Sequence, residues 1–478
     1  MGQLAWDYDC SADYDEMFER PGVPREHCRA VADALKAMTD ADLAESRQRA
    51  DLSFLNLGIT FTVYNENSGI ERIFPFDLIP RVIAPHEWKH IEDGLKQRVL
   101  ALNAFVQDVY NEQTIITSGV IPPEVVFSSP NYEPAVRGFT PPAKAWIVIA
   151  GIDLVRDKNG TFYVLEDNAR TPSGVSYVLQ NRLIATRTMP RIFESSRVLP
   201  VANYANQLQQ AIYTIQGDGT AVLLTPGIFN SAYFEHAFLA KQMGLQLVEG
   251  RDLVVRGGNV VMKTTRGPQP VTSMYRRVDD EFLDPANFNP ESELGVAGLF
   301  DVYRAGGLCL VNAVGTGIAD DKSIYPYVPE MIRFYLGEEA ILPNVPTFRG
   351  ADEKDCKHIL SHLRDLVVKP TNASGGYGVV IGPRADEQEL AEVRGKIEAY
   401  PEGYIAQPLV RLSTAPTVVD GQIVPRRVDL RPFVIFDGGE PWVLPGGLTR
   451  VALREGSFIV NSSQGGGSKD TWVLDGTP

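Results

Sequence analysis

The sequence predicts an α/β protein, grading into α+β and divided into several lobes, and three features carry that expectation. Two β-rich runs, Trp146 to Val155 and Thr161 to Leu165, flank Asp157-Lys158-Asn159-Gly160, whose residue types suit a tight hairpin turn. Between 221 and 249 strand-like and helix-like stretches alternate, as in an open sheet covered by helices. The chain of 478 residues also exceeds what one ordinary core accommodates, so two or three lobes are expected.

Read in order, Pro24 to about Ser46 is expected to be helical and Phe54 to Tyr64 strand-like, with a turn at Asn65 to Gly69. Apolar residues at Trp88, Ile91, Leu95, Val99, Leu100, Leu102, Phe105, Val106 and Val109 form the stripe of a long amphipathic helix from Trp88 through Tyr110. After Pro200 the pattern gives a strand (Ala221 to Thr225), a helix (Ser231 to Met243), a strand (Leu245 to Glu249) and a hairpin at Gly257-Gly258. Further strands fit Val271 to Arg276 and Leu308 to Asn312. A strand before Lys369, a Gly-rich turn, a strand at Val379 to Ile381, a helix from Glu387 to Ala399 and a strand at Tyr404 to Leu409 make an α+β segment. Strands return at Val428 to Phe436 and Trp442 to Leu444, and Asn461 to Lys469 reads as a polar, Gly-rich tail.

A net charge of −15 opposes a phosphate backbone, and no basic patch offsets it, so nucleic acid is not an expected partner. No apolar run is long enough to span a bilayer, and the N-terminus lacks a secretory pattern, which makes the cytoplasm the expected compartment. The four cysteines have no CxxC spacing and read as reduced thiols.

The chemistry concentrates in two places. Alternate residues of a strand share a face and a hairpin sets its strands side by side, so Asp153, Glu166 and Asn168 can converge. Two carboxylates and an amide oxygen suit Mg²⁺ held against phosphates, although a solvated acidic hairpin would read the same way. Elsewhere, Leu366-Val367-Val368-Lys369 puts a lysine at the end of an apolar strand, and Ala373-Ser374-Gly375-Gly376-Tyr377-Gly378 follows. Glycine-rich backbone cradles phosphate oxygens while lysine supplies a mobile point charge. Lys322 offers a second cation 47 residues earlier.

The hairpin resembles the magnesium-binding hairpin of ATP-grasp ligases, in which an Asp on one strand faces Glu-x-Asn on the next; here these are Asp153, Glu166 and Asn168. Its continuation, Asn168-Ala169-Arg170-Thr171-Pro172, is similar to the synthetase domain of glutathionylspermidine synthase, which has an acidic residue in place of Arg170. That resemblance implies that Thr171 and Ser173 lie near substrate. It also implies that Lys322, Lys369, Ser374, Gly375, Gly376, Tyr377 and Gly378 hold the ATP phosphates, and that Tyr404 to Gln407 is the hinge strand beside adenine, with Gln407 its side chain. The magnesium hairpin precedes the lysines, which reverses the usual order and resembles the circularly permuted ATP-grasp family (type 2). The resemblance runs through nearly the whole chain, including Glu71 to Asp77 and Asn461 to Gly467. It implies four parts: 1–204, a helical lead and the subdomain with the magnesium hairpin; 205–315, a Rossmann-like pre-ATP-grasp α/β domain; 316–412, the lysine and glycine-loop subdomain; and 413–478, strands completing the core.

One departure stands out. Glutathionylspermidine synthases have an arginine two residues before the metal-binding Asp, where this chain has Gly151. Arg427, Arg431 and Arg450 are candidates to stabilise the transferring phosphoryl group instead, and Arg276 and Arg277 are candidate carboxylate binders. The implied activity is an ATP- and Mg²⁺-dependent carboxylate-amine ligase acting through an acyl phosphate on small-molecule substrates, with a peptide or polyamine among the options. The alternatives are a catalytically inactive ATP-binding scaffold or regulator and, third, a zinc metallohydrolase using His86, Glu87 and His90. Against the last, Pro85 sets His86 at a helix start, Lys89 charges the motif, and a further ligand is not evident.

Overall fold

The computed structural model describes residues 8–10, 13–65, 68–372, 378–457, 460 and 466–476, without the side chains of 61–72. It is a mixed α/β structure of several sheets. In the helical lead, Thr39 and Asp42 cap each other at the start of helix Asp40–Asn56. Leu43, Ala50 and Phe54 lie on its buried face at spacings of seven and four, one side of an α-helix. Phe54, expected to open a strand, therefore closes a helix, and the strand begins at Thr60. Helix Pro85–Tyr110 buries the expected stripe, and one turn in its middle also buries Arg98.

Three four-stranded sheets position the site. The first is parallel, in the order Cys309–Val311, Ser273–Arg276, Ala221–Leu224, Gln246–Val248, with helix Tyr233–Met243 as a crossover. The second is antiparallel: Phe348–Arg349, Tyr404–Pro408, Leu366–Pro370, Val380–Ile381. Helices Glu353–Ser361 and Glu387–Ala399 pack with it around a small core of its own, which includes Ile359, Val368 and Ile397. The third joins distant parts of the chain: Trp442–Val443 and Phe433–Ile435 pair with the hairpin strands Ile149–Arg156 and Phe162–Asn168.

A second long-range join corrects the reading of the tail. Gly467–Val473 is a strand, parallel to Phe76–Ile83 and antiparallel to Thr449–Val451. All seven of its residues are buried, because its polar groups find partners inside. Lys469 binds the Asp77 carboxylate and the carbonyls of Ile79 and Pro416, and Asp470 accepts from Arg182. The stretch 461–465 lies outside the described residues. No helix among the described residues is long and apolar enough to cross a membrane.

Candidate active site

The hairpin register pairs Asp153 with Glu166 and Gly151 with Asn168, so all three proposed metal ligands belong to one strand face. The residue between them, Asp167, points the other way. There Arg98 from the long helix grips both its oxygens at 2.6 Å, and each side chain is 1% exposed. Arg98 also donates to Asn344 Oδ1 at 2.7 Å, which ties the back of the hairpin to the approach of the lysine segment. The sequence reading missed this pair; the available signal was an arginine set among the apolar residues of a buried helical stripe.

Asp153 is fully enclosed, and both its oxygens face guanidinium groups. Arg431 donates through Nε and Nη2, and Arg450 Nη2 lies at 2.6 Å. Burial opposes the charge of Asp153, but Arg431 and Arg450 outweigh it and hold the carboxyl well below the usual carboxylate range. Asp429, also missed in the sequence, braces Arg450 with both its oxygens. Glu166 is 30% exposed and looser, 3.8 Å from Arg431 Nη2 and 3.7 Å from Lys322 Nζ. Asn168 donates its amide NH₂ to the Gly151 carbonyl at 3.1 Å, which leaves its oxygen as the ligand-capable atom. A Cβ at Gly151 would meet Arg431 Cδ at 3.4 Å, so Arg431 lies across the space that a side chain at 151 would enter.

Lys369 arrives from the second sheet, and Lys322 from the segment between Thr316–Asp320 and Tyr325–Tyr327 of the main core. Lys369, near the end of Leu366–Pro370, donates to Gln407 Oε1 at 2.6 Å, and Gln407 donates to Thr347 Oγ1 at 2.9 Å. Gln407 thus holds the lysine. Burial pushes the Lys369 ammonium down to about 8; Lys322 adds to this, while Glu166 and Asp153 oppose it. The Lys322 amide reaches the Thr371 carbonyl, just beyond Lys369. The anionic patch and both lysines therefore lie within electrostatic reach of one another. Gly378 has a positive φ of 71°, whereas Ser374, Gly375, Gly376 and Tyr377 lie outside the described residues.

The turn after the hairpin sits against the carboxyl ends of the parallel strands, where open α/β sheets bind ligands. Arg277 donates to the Pro172 carbonyl and to Ser173 Oγ, and Glu235 accepts from the Gly174 and Ser176 amides. Thr171 Oγ1 donates to Asp279. Asn312 donates to the carbonyls of Ala169 and Arg170, while Asp320 accepts from their amides. Burial pushes Asp320 up to about 7 against the pull of Arg170, the Ala169 amide and Lys322.

Two candidate arginines fall elsewhere. Arg276 is fully buried and holds the carbonyls of Asn312, Val278 and Ala313 and the Asp280 carboxylate, so it ties the α/β lobe together instead of facing a substrate. Arg427 holds the carbonyls of Gly456 and Ser457 beside Asp13, apart from the Asp153 pair. Glu87, the base of the zinc reading, is engaged by Arg156 and by the Ala84 amide at the helix start.

The hairpin donors are hard oxygens, and a carboxylate has about four lone-pair sites, so Asp153, which accepts three hydrogen bonds from Arg431 and Arg450, keeps one site for a cation. Two carboxylates and one amide oxygen within electrostatic reach of two lysines fit Mg²⁺ bound together with polyphosphate.

Comparison with known proteins places the chain in a family. A family model described as circularly permuted ATP-grasp type 2 matches residues 80–452. An uncharacterized Synechocystis protein is 51% identical over 474 residues, covering 98% of each chain. One from Mycobacterium tuberculosis is 50% identical over 468 residues, 96% of this chain and 84% of the relative. A Frankia casuarinae protein provisionally named glutamate–cysteine ligase 2-2 is 41% identical over 466 residues, and this chain spans only 53% of its length.

Proposed function

The chain belongs to the circularly permuted ATP-grasp family, type 2, and from that premise we propose that it is an ATP- and Mg²⁺-dependent carboxylate-amine ligase working through an acyl phosphate. A carboxylate oxygen of the acid substrate attacks the γ-phosphorus of ATP, and ADP leaves. The amine nitrogen then attacks the acyl carbon, phosphate departs with the bonding electrons, and the nitrogen's proton passes to that phosphate. The result is an amide.

The observation that carries this reading is the meeting of charges at Glu166, which has Lys322 at 3.7 Å and Arg431 at 3.8 Å with Lys369 close by. Asp153, Glu166 and Asn168 would hold Mg²⁺, which when bound supplies positive charge to the phosphate oxygens. Lys322 and Lys369 offset the remaining charge of the triphosphate. Of the three arginine candidates, Arg431 takes the phosphoryl-stabilising role, because it alone reaches both Asp153 and Glu166; Arg450, braced by Asp429, orients Asp153. In this reading 205–315 is the pre-ATP-grasp domain, 316–412 the lysine subdomain, and 1–204 and 413–478 together complete the core.

Substrate-dependent ADP release by the purified protein tests the proposal. Glu166→Ala and Lys369→Ala are expected to abolish it, and unchanged turnover in both discards the site. ATP-dependent thermal stabilisation with no ADP from any acid and amine mixture identifies a nucleotide-binding scaffold instead.

A further inference from the structure

Arg170 is an arginine held in place from both sides, with its own donors still uncommitted. Its backbone is fixed by Asn312 at the carbonyl and Asp320 at the amide, and its Cδ lies 3.4 Å from where a Cβ on Gly317 would stand. The side chain as a whole is nonetheless 32% exposed. Its nearest carboxylates, Asp279 at 3.5 Å and Asp320 at 3.8 Å, supply charge without a hydrogen bond of good geometry, and Nε is buried without a hydrogen-bond partner among the described residues. Asp320 is already occupied by two backbone amides, whereas Asp279 is 43% exposed and, among the described residues, receives the Thr171 hydroxyl and the loose contact from Arg170. The chain thus presents one open cation beside one open anion, two residues beyond Asn168.

A mixed-charge pair of this kind is matched by a ligand that carries both signs close together. Building on the ligase reading, we infer that Arg170 and Asp279 form a subsite for the head group of a free α-amino acid, which serves as the amine substrate. Arg170 receives the carboxylate through its guanidinium NH groups, and Asp279 holds the ammonium and takes one proton from it, which frees the amine lone pair to attack. A polyamine has no group for Arg170, and binding it would leave the guanidinium desolvated and unpaired. The subsite therefore selects amino acids over amines of the same length.

The test uses the full chain with ATP, Mg²⁺ and a panel of carboxylic acids. Each acid is paired with an α-amino acid or with the amine that lacks its carboxylate: serine against ethanolamine, ornithine against putrescine, glycine against methylamine, with spermidine added. Amino acids are expected to support ADP release with kcat/KM higher than their matched amines by roughly ten- to a hundred-fold. Arg170→Gln should raise KM for the amino acid by a similar factor while KM for ATP stays unchanged, Arg170→Lys should recover part of the loss, and Asp279→Asn should raise the same KM. Equal use of amines and amino acids, or an amino-acid KM unaffected by Arg170→Gln, overturns the subsite and leaves the ligase reading intact. ADP release that never depends on any added pair overturns both.

Discussion

The two halves of the nucleotide site are built differently. The anionic half is a hairpin inside the main core, braced on both faces: Arg431 and Arg450 clamp Asp153 in front, and Arg98 clamps Asp167 behind. In the cationic half, Lys369 rides on a small antiparallel sheet with its own core and with helices whose outer faces meet solvent, whereas Lys322 stays with the main core. Segments with few buried apolar neighbours open at lower free energy than the global core. The contrast teaches that Asp153 is held in place by its arginines before any nucleotide arrives, while Lys369 approaches on the less anchored of two bodies.

The sharpest way to break this comparison is to remove the cation that touches both carboxylates. Arg431→Ala is expected to lower kcat for ADP release by roughly 10³- to 10⁵-fold, the range for a phosphoryl-stabilising arginine, with Arg427→Ala far milder. Next comes the brace behind the hairpin. Arg98→Met leaves Asp167 buried and unpaired, which should cost about 3–5 kcal/mol in denaturant unfolding; adding Asp167→Leu should restore most of the stability. A third substitution probes the other body: Ile397→Ala should cost about 2–5 kcal/mol, with faster amide exchange confined to 348–408 and no change around Asp153.

The smallest effect is the dependence on pH. Lys369 has its ammonium lowered from the ordinary lysine value to about 8, so its charge is present below that value and lost as pH rises through it. ATP affinity should therefore weaken by a few-fold between about pH 7 and 9, and Lys369→Arg should flatten the profile. In the nucleotide-free protein the sign for stability is opposite. Between about 8 and the unfolded lysine value the unfolded chain binds more protons, so this group favours the folded state increasingly as pH rises.

The sequence made the hairpin readable because its turn and alternation are local signals, and the pairing of Asp153 with Glu166 follows from them. The parallel lobe and the helix Glu387–Ala399 were readable for the same reason. What failed was whatever depended on distant partners. Phe76–Ile83 and Gly467–Val473 are buried on both faces, so they lack the period-two alternation of a half-exposed strand. Gly-Ser-Lys-Asp-Thr looks like a loop until Asp77, Asn181, Arg182 and Thr449 are supplied from elsewhere. Phe54 was misread because an aromatic run resembles a strand, whereas the face it shares with Leu43 and Ala50 is helical. Within the site, the residue types at Lys322, Lys369 and Glu166 were visible, but the division of labour among the arginines came only from knowing which of them crosses Gly151.

The pairing of Gly467–Val473 with Phe76–Ile83 also dictates a timetable for synthesis. Lys469 meets Asp77 across 392 residues of chain, so the ribosome delivers the second partner long after the first. At about 5–20 residues per second, Phe76–Ile83 waits on the order of 20–80 s with one edge unfilled. A nascent chain that stalls in that interval exposes an unpaired strand rim, the kind of edge on which another chain can add.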